Sequence, residues 1–186
     1  MLRRSLIMMT AFAAVCADGV RRVAHAQGVG IPTPAGRRLP MADYVELQQL
    51  YATYCHALDK GDGELFASVW TDDGEFVGGR GPGRGAEARP PLKGRDGLRN
   101  MGSTSGTRHF NTNLVLTPTP GGARGSVYLM LYSARTNPPS FVETAIYDDT
   151  LVKTAAGWKF KRRVVWRDDD DVTPFKPRPM PARPAR

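Results

Sequence analysis

Between residues 108 and 167 the chain changes from the helical spacing of its first half, three or four residues between apolar positions, to strand-like runs of period two separated by short turns. This change of period constrains the fold more than any other feature. It predicts strands over Arg108–Thr117, Ala123–Arg135, Phe141–Thr154 and Trp158–Arg167. The intervening runs, Pro118-Thr119-Pro120-Gly121-Gly122, Asn137-Pro138-Pro139 and Ala155-Ala156-Gly157, are turn chemistry. Strands joined by turns this short must run antiparallel. The second half of the chain is therefore a meander.

The first half is helical. Asp43 and Glu46 have the spacing of a capping box, and Leu47, Leu50, Tyr51, Tyr54 and Leu58 form one apolar stripe. Lys60-Gly61 supplies a cation and a glycine to end that helix. Asp62 caps a second, shorter helix with apolar positions Leu65, Phe66, Val69 and Trp70. Asp72-Asp73-Gly74 then turns the chain into a short strand, Glu75-Phe76-Val77. Residues 78–95 are rich in Gly, Pro and Arg and read as a loop, after which Asp96 opens a brief helix through Leu98 and Met101. Helices first and a meander after make an α+β domain with the helices on one face of the sheet.

The two ends differ from this body. Arg3-Arg4, an uncharged run from Ser5 to Ala17 and the small-x-small site Ala24-His25-Ala26 describe a secretory signal over residues 1–26. The expected location is periplasmic or secreted, and the twin arginines leave the export route open. Residues 27–40 read as a linker, 41–171 as the domain, and 172–186 as a disordered, Pro-rich basic tail. The net charge of +8 belongs to the ends: without residues 1–26 it is +5, and without the tail's four basic residues it is +1. A nucleic-acid binder would carry its excess on a folded face, so no nucleic-acid partner is expected. No second apolar run could hold the protein in a membrane once the signal is removed. With Cys16 in the signal, Cys55 is left without an internal partner and reads as a packed thiol.

Several sites can be excluded from the residues alone. Gly81-x-Gly83-x-x-Ala86 lacks the helix a dinucleotide fingerprint needs, because Arg89-Pro90-Pro91 follows it. Gly102-Ser103-Thr104-Ser105-Gly106 has threonine where a nucleophile elbow needs serine. The histidine and cysteine content supports no metal site, and the Asp168–Asp171 run reads as a solvated strand end.

What remains is Asp59, at the end of the first helix, and His109, early in a strand. Asp59 has two readings: an exposed turn residue, or a buried carboxylate whose pKa is raised by lost hydration and the negative end of the helix. Asn111 and Asn113 share the face of His109 at period two, and fit either a solvated surface or a wet lining. Tyr54 is either core or site. His56 reads as a solvated cation near the helix end.

The run Leu50-Tyr51-Ala52-Thr53-Tyr54-Cys55-His56-Ala57-Leu58-Asp59-Lys60-Gly61-Asp62 resembles the opening helix of SnoaL-like proteins, of the nuclear transport factor 2-like superfamily. The likeness continues through Leu65–Phe76, Arg108–Leu114 and Gly157–Arg163. It implies a cone-shaped curved sheet, mixed or antiparallel, with the N-terminal helices on its concave face around an apolar cavity. Similar enzymes include hexachlorocyclohexane dehydrochlorinases and bile acid dehydratases. Their catalytic aspartate and histidine fall on Asp59 and His109, the dehydratase tyrosine on Tyr54, and the dehydrochlorinase arginine on Arg163. Trp70 and Asn113 are expected to bind substrate. The expected activity is elimination (a dehydratase or other lyase) or isomerisation of a small apolar molecule, with no cofactor. The alternative is a non-catalytic ligand-binding or dimerisation module on the same fold, and a homo-oligomer is compatible with either.

Overall fold

The computed structural model of the protein describes residues 38–78, 90–104 and 106–168. The expected signal, most of the linker, most of the Gly/Arg-rich loop and the tail lie outside the described residues. Three helices, α1 (Met41–Lys60), α2 (Gly63–Ser68) and α3 (Gly94–Gly102), accompany strands β1 (Trp70–Val77), β2 (Leu92–Lys93), β3 (Thr107–Thr119), β4 (Gly122–Ser133), β5 (Ser140–Thr154) and β6 (Gly157–Arg167) among the described residues. They form one sheet in the order β2-β1-β6-β5-β4-β3. The meander from β3 to β6 is antiparallel, as its turns require.

β1 pairs with β6 in parallel, which makes the sheet mixed. Register shifts interrupt the pairing of β1 with β6 and of every neighbouring pair in the meander. An extra residue on one strand bends it and increases its twist. The sheet is accordingly a curved, open cone. The helices pack on its concave face, where Leu47, Leu50, Tyr51, Tyr54, Ala57 and Leu58 of α1 meet the inward residues of the strands. Gln48 and Lys60 stay exposed, so the α1 stripe has the expected phase.

The helix boundaries correct three expectations. α3 begins at Gly94 after Lys93, so Asp96 lies within its first turn and does not cap it. α1 begins at Met41 with Pro40 before it and no side-chain cap, so Asp43 is not an N-cap. Asp43 instead accepts hydrogen bonds from Trp158 Nε1 (3.1 Å) and Lys153, while Glu46 accepts from the Trp158 backbone N–H (2.8 Å). The two acids tie the start of α1 to the β5–β6 turn. α2 is also shorter than expected: Asp62 caps it through Leu65 N–H at 3.0 Å, but Trp70 already belongs to β1. Asp72-Asp73-Gly74 lies within β1, at its irregularity against β6, rather than in a turn before a strand. The end of α1 is as expected. Gly61 takes the left-handed conformation (φ 74°) and its N–H returns to the Leu58 carbonyl, which stops the helix and fixes where Asp59 points.

Candidate active site

Asp59 occupies the last turn of α1, and β3 passes alongside. The Asp59 Oδ1 atom lies 2.6 Å from His109 Nδ1, and Oδ2 accepts the His109 backbone N–H at 2.9 Å. Thr107 Oγ1 adds a longer bond to Oδ1 at 3.3 Å. The carboxylate thus grips both the ring and the backbone of one residue, which fixes the imidazole in position and in tautomer. Their side chains are 12% and 8% exposed, so the pair is sheltered but still reached by solvent. With Nδ1 held by the carboxylate, Nε2 is unpaired among the described residues and free to exchange a proton.

The pKa of Asp59 is lower than expected from sequence. Burial pushes it upward, but the hydrogen bonds from the His109 side chain and backbone outweigh burial and hold the carboxyl below its ordinary value. Asp59 is therefore held as an anion beside the imidazole.

Tyr54 and Arg163 form a second group beneath the dyad. The Tyr54 ring stands edge-on to the His109 ring, centroids 6.4 Å apart at 90°. Both Tyr54 and Arg163 are fully buried. The Arg163 guanidinium lies 4.1 Å from the Tyr54 ring centroid and 4.0 Å from that of Tyr147, with Tyr51 and Phe160 completing an aromatic cage. Its Nε and Nη2 each make a 2.7 Å bond to the Asp149 carboxylate, and Tyr51 donates its hydroxyl to the same carboxylate. Burial works against the charge of Arg163, but Asp149 more than compensates and the guanidinium stays protonated. Two polar atoms of this group have no hydrogen-bond partner among the described residues: Arg163 Nη1 and the Tyr54 hydroxyl. Burial pushes the Tyr54 pKa up to about 12, so its hydroxyl remains a neutral donor.

Trp70 is buried in the same aromatic cluster, against Tyr54, Phe66, Phe76 and Phe160, and its Nε1 is also without a partner among the described residues. Asn113 is not brought to these residues. Two residues of β3, Asn113 and Leu114, stand opposite one residue of β4, and Asn113 absorbs this bulge in the left-handed conformation (φ 59°) with its side chain exposed. The bulge reverses the alternation, so that Leu114 and Leu116 continue the inner face that His109 and Asn111 began. Cys55 is a packed thiol: burial pushes its pKa up to about 12. His56 is exposed on the outside of α1.

Asp149 and Tyr51 were missed at the sequence level as partners of Arg163. The signal was present in β5, where Ala145, Tyr147, Asp149 and Leu151 alternate inward and only one of the four is charged. Its slot was legible too. Gly125 lies directly across from Asp149 on β4, and a Cβ there would collide with the Tyr51 hydroxyl.

A family model, the SnoaL-like domain, matches residues 40–164. The chain belongs to the SnoaL-like family. Solved structures agree on its architecture. An NTF2-like protein with a cystatin-like fold from Novosphingobium aromaticivorans is 20% identical over 72% of this chain and 87% of that one, with a TM-score of 0.61. ActVI-ORFA from Streptomyces coelicolor is 24% identical over 67% and 96% of the two chains, with a TM-score of 0.56. A Catenulispora acidiphila protein solved in complex with S-DNPA is 27% identical over 69% and 96%, with a TM-score of 0.58. No curated protein matches the sequence. The SnoaL-like fold is one that holds small molecules, as the S-DNPA complex illustrates. Among the described residues no helix is long and apolar enough to cross a membrane, and no cluster of His, Cys, Asp and Glu could hold a metal ion.

Proposed function

We propose that this SnoaL-like protein is a cofactor-independent acid–base enzyme, a lyase of the dehydratase type or an isomerase, and that Asp59 and His109 are its working pair. The observation that carries this reading is the 2.6 Å Asp59–His109 contact on Nδ1, which leaves Nε2 unpaired among the described residues. In an elimination, Nε2 takes a proton from a carbon of the substrate, and the released electron pair forms the new double bond. The leaving group departs from the adjacent carbon, and the imidazolium returns the proton to it. In an isomerisation the same proton is returned to a different carbon. Throughout, Asp59 stays ionised and stabilises the imidazolium. The Tyr54 hydroxyl and Arg163 Nη1 are the donors available to oxygen that gains negative charge. A binder would have no use for an anion that fixes one imidazole tautomer. Export to the periplasm or beyond remains part of the proposal, resting on the sequence of residues 1–26.

The test is hydrogen–deuterium exchange at the enolisable carbons of 4-phenylbutan-2-one in D2O, followed by NMR. Wild type should accelerate exchange above buffer, and Asp59→Asn and His109→Ala should both return it to the buffer rate. Exchange unaffected by either substitution would leave the ligand-binding reading in its place.

A further inference from the structure

Asn111 lies on β3 two residues beyond His109 and on the same inner face, with Leu129 of β4 as its cross-strand partner. Leu129 is a core residue, 2% exposed. An asparagine beside it is out of place, because this face otherwise turns apolar once the bulge is passed. Both Asn111 side-chain atoms, Nδ2 and Oδ1, are buried and have no hydrogen-bond partner among the described residues. A primary amide offers two donors and two acceptor lone pairs, and leaving all of them unmade in the interior is costly. Valine or leucine would suit both the strand and its neighbours better. The other unpartnered buried atoms of this interior, Arg163 Nη1, the Tyr54 hydroxyl and Trp70 Nε1, are also polar and include three donors. An occupant made only of hydrocarbon would satisfy none of them.

We infer that Asn111 is a specificity residue that reads an oxygenated substrate, a hydroxy-carbonyl compound, beside the His109 imidazole. The amide presents one donor and one acceptor side by side. A carbonyl oxygen accepts from Nδ2 while a neighbouring hydroxyl donates to Oδ1, and with the amide's two ends exchanged the same pairing holds once the ligand's carbonyl and hydroxyl change places. The ligand is uncharged, because Asp149 already balances Arg163 and no unmatched buried cation awaits a carboxylate. This deepens the proposed function and rests on its location of the site, refining a merely apolar substrate to one with two adjacent oxygens.

The probes are 4-hydroxy-4-phenylbutan-2-one and 4-phenylbutan-2-one, which differ by the one hydroxyl. Binding is measured by calorimetry in the Asp59→Asn background, where turnover is stopped. The result is then independent of whether the dyad performs proton transfer, which the exchange experiment tests separately. The hydroxy ketone should bind about tenfold more tightly than its deoxy analogue, the equivalent of one net hydrogen bond. Adding Asn111→Leu should abolish that preference while raising the melting temperature, since it removes an unsatisfied buried amide. Asn111→Val, a better strand former, serves as the second variant if the leucine does not fold. Equal affinity of the two ketones, binding of neither to folded protein, or a preference that survives replacement of Asn111 would each overturn the assignment. So would a fall in melting temperature with the preference intact, which marks a purely structural asparagine.

Discussion

Two carboxylates in this protein each hold a basic side chain, and they do so in opposite ways. Asp149 is 0% exposed and binds Arg163 side-on through both oxygens, with the Tyr51 hydroxyl added. Asp59 is at the edge of the interior and binds His109 through one ring nitrogen and one backbone N–H. The first pair cannot change its charge without leaving a bare ion in the core. In the second pair solvent reaches both partners, and Nε2 is unpaired among the described residues. The first arrangement holds a donor still. The second, in the proposed function, gains and loses a proton.

The sharpest way to break this contrast is through activity. His109→Ala should lower turnover of a substrate by about 10²–10⁴-fold, the usual contribution of a positioned acid–base group. Asp59→Asn should approach that loss, and the double variant should be little worse than the poorer single one because the two act as a unit. Additive losses, read from steady-state kinetics, would mean that the residues work separately.

A smaller but still large effect belongs to stability and to the other pair. Asp149→Ala leaves Arg163 buried without its counter-ion and should cost about 3–5 kcal/mol in denaturant unfolding. Replacing both, with Asp149→Leu and Arg163→Met, should recover most of that loss, since a well-packed apolar pair avoids the desolvation of two charges. If Asp149→Ala is tolerated, the carboxylate is not the anchor its geometry describes.

The smallest effect is a difference in acid sensitivity. Asp59 has a folded-state pKa below its ordinary value, so its contribution to stability is complete above the unfolded pKa of about 4 and is lost as pH falls through the folded value. Asp59→Asn removes the titrating group. The variant's stability should therefore fall less steeply than wild type below about pH 4, with the two curves running parallel above pH 5. A wild-type curve no steeper than that of the variant would show that the His109 bonds do not persist in solution.

The sequence makes some of this legible and hides the rest for a physical reason. Helix phase is local: Leu47, Leu50 and Leu58 declared the buried side of α1, and Gly61 declared its end. β2 (Leu92–Lys93) falls in the run read as a loop, but strand existence in the meander was equally local. The bulge at Asn113 was not, because period two continues on paper through the point where the backbone inserts an extra residue, and so Asn113 was placed on the wrong face. Asp43 shows the same limit. Its spacing from Glu46 is that of a capping box, but Trp158 and Lys153, far along the chain, compete for its oxygens. The dyad could be named from resemblance at each end, whereas the Arg163–Asp149–Tyr51 network depends on a pairing register and on the space left by Gly125.

The parallel pairing of β1 with β6 bears on how the protein comes into being. β1 is the first strand of the sheet in the chain and β6 the last, and the sheet has β2 as β1's other neighbour. Until β6 arrives, β1 has only that two-residue partner among the described residues, and Tyr54 lacks the guanidinium that packs against its ring. Contacts between segments so far apart close a long loop and slow the folding of a chain that depends on them. A nascent chain with its C-terminal strand still in the ribosome therefore holds the aspartate, the histidine and the tyrosine in hand, yet cannot assemble the floor on which they rest.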